Sequence, residues 1–145
     1  MTEQENQGQG PQGSQIVHPP RPLHRKYYEP IFYLADRMCS ADGEVAPNER
    51  RLLEELSKAA GVEDFRSRQT FRHMTLDDAC GKLDIDTAKN GAMVIMTLLL
   101  KADTRRRDSE HAYFSKVREK LGAPPVHVPV SLESHKALAM EYIKS

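Results

Sequence analysis

The sequence predicts an all-α domain, a compact bundle of about six to seven helices built on two pseudo-repeated helical hairpins. Three observations carry this expectation. Apolar residues recur at helical spacing in successive stretches, as at Ile31, Leu34, Ala35 and Met38. No stretch alternates with period two for long enough to make a sheet. Glycine and proline fall between the apolar stretches, where helices stop and start.

The elements follow in order. "MTEQENQGQGPQGSQ" is rich in Gln and Gly and has no aliphatic residue after Met1, so residues 1–24 are expected to be a disordered tail. Prolines 19, 20 and 22 give it a stiff approach to a domain spanning 25–145. The first helix begins near Tyr27 and is broken at Gly43. Pro47 suits the first turn of the second, whose apolar face is Leu52, Leu53, Leu56, Ala59 and Ala60, closed by Gly61. Phe65 and Phe71 suggest a short third helix. Thr75 and Asp78 have capping-box spacing and open a fourth that ends near Gly81.

Asp86 is expected to cap a fifth helix over 87–102, apolar almost all round at "AMVIMTLLL" and therefore buried on several sides. Asp108 starts a sixth, with Phe114, Val117 and Leu121 on one face and Gly122 as its stop. "APPVHVPV" reads as an extended crossover. Ser131 then caps a last helix, able to cover a groove or to offer an amphipathic face of its own.

Composition narrows the function classes. Lys plus Arg and Asp plus Glu are both 21, so no global charge draws the chain to nucleic acid or an anionic membrane. The longest apolar run, Ala92 to Leu100, falls well short of the ~20 residues a membrane span needs. The N-terminus has no basic-then-apolar signal pattern, which makes the cytoplasm the expected location. Cys39 and Cys80 form no CxxC pair and are expected to be reduced, buried thiols.

Two pieces of the chain repeat one another. "LADRMCSADGEVAPNERRLLEELSKAAGV" and "MTLLLKADTRRRDSEHAYFSKVREKLGAP" each run from an apolar helix through Ala-Asp and a short link into a helix with an early Glu and a Gly stop. Asp42 precedes Glu49 by the same interval as Asp103 precedes Glu110.

The paired "AD…E" hairpins, with "ADGEV" followed by Pro and Glu, resemble the tellurite-resistance TerB-like family and the related N-terminal domain of DjlA-type membrane co-chaperones. The resemblance covers roughly residues 27–122. It implies an all-helical fold with central acidic residues that hold a divalent cation, and a place in stress response. Two positions depart from the pattern. Ala46 stands where the family often has Ser before the Pro, and Thr104 with Arg105–Arg107 replaces Gly-Glu-Val in the second motif. Those arginines oppose a nearby cation or neutralise the carboxylates themselves.

Asp42, Gly43, Val45 and Glu49 fall in register with the fifth, sixth, eighth and twelfth positions of a calcium loop. Met38 and Ser40 occupy the first and third, where carboxylates are needed, so an EF-hand is excluded. If the hairpins face each other, Asp42, Glu49, Asp103 and Glu110 converge as four hard oxygen donors for Ca²⁺, Mg²⁺ or Mn²⁺. The plainer reading makes Glu49 and Glu110 helix-start carboxylates and Asp42 a turn residue beside Gly43. The sequence leaves both open.

Other chemistry is not expected. The six histidines have no HExxH or other ligand spacing, and no phosphate loop or GxSxG elbow is present. No catalytic residue is assigned, and the protein is expected not to be an enzyme. The expected function is an interaction module with a protein partner, with peripheral membrane association as one setting. An alternative is binding of nucleic acid or an acidic partner through Arg66, Arg68, Arg72 and Arg105–Arg107. Aromatic residues make up only 6% of the chain, which disfavours base stacking.

Overall fold

The computed structural model describes residues 22–103 and 108–143. The tail over 1–21 and the arginines 105–107 lie outside the described residues, and so do the expectations placed on them. The described residues form seven α-helices and two short 3-10 turns, with no strand among them. The helices are α1 (Tyr28–Cys39), α2 (Pro47–Ala59), α3 (Gln69–Arg72), α4 (Leu76–Lys82), α5 (Asp86–Ala102), α6 (Asp108–Leu121) and α7 (Leu132–Ile143).

α5 is the axis of the bundle and packs against α1, α2, α6 and α7. Its apolar circumference explains why: Ala88, Ala92, Met93, Val94, Ile95, Met96, Leu98 and Leu99 are all buried. α1 lies beside it and carries α4 and α6 on its other sides. The link after α1 turns at Gly43, whose φ of +88° suits glycine, and α2 opens on Pro47 as the sequence predicts. Gly61 and Gly122 follow α2 and α6 with φ of +75° and +62°, the stops expected of them.

Three local expectations are corrected. Leu23, assigned to the tail, is a core residue whose N–H donates to the Tyr142 carbonyl at 2.8 Å. The third helix is split into a 3-10 turn, Phe65–Ser67, and the single turn of α3, because Arg68 between them is extended (ψ 140°). Phe32–Phe65 is a tilted pair and Tyr33–Phe71 and Phe65–Phe71 are T-shaped, with centroids 5.2–5.8 Å apart, and this aromatic packing holds the broken segment on α1. Asp86 does not cap α5 but sits in its first turn, where its charge still suits the helix dipole. The capping box of Thr75 and Asp78 forms as read, and Ser131 Oγ accepts the Ser134 N–H at the start of α7.

α5 and α7 approach closely at Gly91. A Cβ there would meet Tyr142 at 3.0 Å and Leu23 at 3.1 Å, so α5 and α7 touch where a side chain is missing. Gly91→Leu is expected to destabilise by about 2 kcal/mol or more despite better helix propensity, because it overpacks a buried contact. Urea unfolding checks this; a stability equal to wild type would show that Tyr142 yields freely.

His135 is the polar anomaly of the same interface. It is fully buried on α7, and its Nε2 lies 3.0 Å from the Val94 carbonyl. A carbonyl can only accept, so the proton is on Nε2 and Nδ1 is a lone pair with no hydrogen-bond partner. Burial pushes its pKa down; the Val94 bond pulls it back, and the Lys101 ammonium adds to the fall. Lys101 itself donates to the Pro129 carbonyl at 2.6 Å, and Lys136 on α7 pairs with Glu55 on α2.

A histidine held neutral in the fold and free to protonate when unfolded stabilises fully above its unfolded pKa, roughly 6.5. That stability is lost as pH falls below this value toward the folded pKa. Between pH 7.5 and 5.5, wild type should lose about 1 kcal/mol more than His135→Gln. Equal losses in urea titrations would remove His135 as the acid-sensitive group.

Candidate metal centre

The acidic cluster is built from helix ends. Glu49 and Glu110 each occupy the third position of their helices, α2 and α6, and Asp103 is the C-terminal cap of α5. All three are buried, Glu49 to 0% exposure and Glu110 to 1%. One carboxylate oxygen from each lies within 4.8 Å of the others. Two oxygens on opposite sides of one ion at ~2.4 Å would be about that far apart, so the spacing lets one cation touch all three.

The surroundings of Glu49 carry the most information. Neither of its oxygens has a hydrogen-bond partner of good geometry. Burial pushes its carboxyl pKa up, and the charge of Asp103 adds to the rise. The Glu110 carboxyl, the Ala46 backbone N–H and the Cys39 thiol act the other way. Cys39 is itself fully buried against the cluster: burial first, then the Glu49 and Glu110 charges, hold its thiol far above the ordinary range.

Helix capping accounts for part of this arrangement. A carboxylate at the third position faces the positive end of the dipole, which suits Glu49 and Glu110. Asp103 sits at the opposite kind of end, where the dipole is negative and an anion is disfavoured. Its burial beside two other carboxylates therefore gains nothing from the dipole of α5. A hard cation is the ligand such a donor set fits, through oxygen alone, which is the chemistry of Ca²⁺, Mg²⁺ and Mn²⁺.

Of the four carboxylates that the sequence singles out, the structure brings together Glu49, Asp103 and Glu110. Asp42 is not in the cluster; it is exposed, and its Oδ1 accepts the Glu44 N–H at 3.1 Å across the turn. The reason is a register difference between the two links. α1 caps at Ser40 and α5 caps at Asp103, so cap and Glu are separated by nine positions in one link (40 to 49) and seven in the other (103 to 110). Asp103 thus corresponds to Ser40 rather than to Asp42.

The arginines of the alternative reading are placed in part. Arg66 reaches back to Asp36 on α1, its Nε and Nη2 each 2.8 Å from Oδ1, and its guanidinium lies over Phe65. Arg68 pairs with Asp64 and Glu29. Arg72 is exposed. Cys39 as a wall of the acidic site is a residue that sequence reasoning missed; its position one turn before the Ala-Asp motif was the only available signal. Cys39 and Cys80 are both free, the first buried as expected and the second half-buried.

Comparison with known proteins gives no match: no family model, no curated protein and no solved structure is similar to this chain. No helix among the described residues is long and apolar enough to cross a membrane.

Proposed function

We propose that the protein is a non-enzymatic helical interaction module of the TerB-like kind, in which Glu49, Asp103 and Glu110 hold one divalent cation. Ca²⁺, Mg²⁺ and Mn²⁺ are the ions its oxygen donors suit. The observation that carries this reading is Glu49, a fully buried carboxylate with neither oxygen in a hydrogen bond of good geometry, aimed at two more carboxylates. The ion would join the start of α2, the end of α5 and the start of α6, fixing the hairpin links against which a protein partner docks. The cytoplasm, in a stress-response or membrane-associated assembly, is the setting the TerB-like resemblance suggests.

Thermal unfolding of chelator-stripped protein against titrated Ca²⁺, Mg²⁺, Mn²⁺ and Zn²⁺ tests it. A saturable rise in midpoint for one of the hard ions is expected, since a ligand selective for the native state stabilises it. A flat response to every ion at millimolar concentration would overturn the reading and leave the acids as structural carboxylates.

A further inference from the structure

A groove lies away from the acidic cluster and shares no lining residue with it. It has a volume of about 990 Å³ and runs between the start of α1, with its preceding 3-10 turn, and the α3–α4 segment. Its apolar lining is Pro30, Val62 and Met74, all buried. The polar lining carries charge of both signs, but the two signs are not equally available.

Each acid in the groove is already engaged. Glu29 receives Arg68 at 3.5 Å and the Thr70 hydroxyl. Asp77 is paired to Lys120, which lies outside the groove, at 2.8 Å, and this holds its carboxyl below the usual range. Asp78 closes the capping box on the Thr75 N–H. Among the cations, Arg25, Lys26 and Lys82 are exposed and form no ion pair among the described residues; the Lys26 ammonium lies 5.2 Å from the Tyr27 ring centroid. The groove therefore presents net uncompensated positive charge around an apolar floor.

We propose that this groove docks an acidic, partly apolar segment of a partner protein. Arg25, Lys26 and Lys82 would meet its carboxylates, while Val62 and Met74 receive its apolar side chains. A nucleic-acid strand fits less well. Its lining offers a single aromatic ring, the His73 imidazole, which is too little to stack successive bases. This inference goes beyond the cation reading and stands without it.

The test is fluorescence anisotropy of the full chain with a labelled peptide of alternating Glu and Leu, run with and without chelator. A Lys–Leu peptide and single-stranded oligothymidine serve as comparators. Saturable binding of the Glu–Leu peptide is expected, weakened roughly tenfold by Arg25→Glu with Lys82→Glu and again by added salt. The milder pair Lys26→Gln with Lys82→Gln should weaken it in the same direction, which covers a folding failure of the first variant. No saturable binding, undiminished binding by both folded variants, or tighter binding of oligothymidine would overturn the proposal.

Discussion

Glu49→Gln is expected to raise the thermal midpoint of the metal-free protein and to erase its response to divalent cations. The two effects have one cause. Burial holds the Glu49 carboxyl pKa above its ordinary value, so the native state disfavours the ionised form more than the unfolded chain does. Its contribution is therefore most favourable at low pH and is lost as pH rises through the unfolded value toward the folded one. Glutamine keeps the shape without the charge, and the metal-free protein should gain about 1 kcal/mol, or a few degrees. With a cation at a hundred times its Kd, wild type should instead gain about 2.7 kcal/mol that the variant lacks. The ranking of the two proteins thus inverts on adding metal. A variant less stable than wild type without metal, and still responsive to cations, would show that Glu49 serves only to start α2.

Ending the chain at Ser131 has the largest effect expected on the fold. α7 contributes His135, Ala139, Tyr142 and Ile143 to the interior, and the last two are large side chains with 4% and 2% exposure. Burial of a large apolar side chain is worth about 1.5–3 kcal/mol. Removal also orphans two groups of the first segment: the Tyr28 hydroxyl, which donates to the Ile143 carbonyl at 3.1 Å, and the Leu23 N–H. The combined loss is about 4 kcal/mol or more, a large share of the stability of a domain this size. Circular dichroism melting should show a midpoint lower by at least ~10 °C, or no cooperative transition. A drop of only a few degrees would mean that α7 lies on the bundle without holding it.

Much of the fold could be read from local signals, because its helices obey local rules. Pro47, Gly61, Gly122, Thr75 with Asp78, and Ser131 each act through neighbours within a turn or so, and each does in the structure what its spacing predicts. Where the reading failed, a contact distant in sequence decided. Leu23 is anchored by Tyr142, and composition and periodicity carry no trace of that contact. The site was legible to the same degree. Glu49, Asp103 and Glu110 are three of the four carboxylates singled out by equal spacing and lie together, while Asp42 does not, because that spacing concealed links of unequal length between helix ends. His135 could not have been singled out at all. Nothing near it in the chain indicates that α7 would turn an imidazole toward the backbone of α5.

The two thiols keep different time. Cys80 is partly open to solvent, so an alkylating reagent meets it in the resting molecule at a pace set by the reagent. Cys39 lies sealed beneath the Glu49 and Glu110 carboxylates and cannot react until the helices carrying them part. Its modification therefore counts openings of the interior, one by one, as a clock does. An ion that ties those helix ends together would stop the clock without ever touching the sulfur.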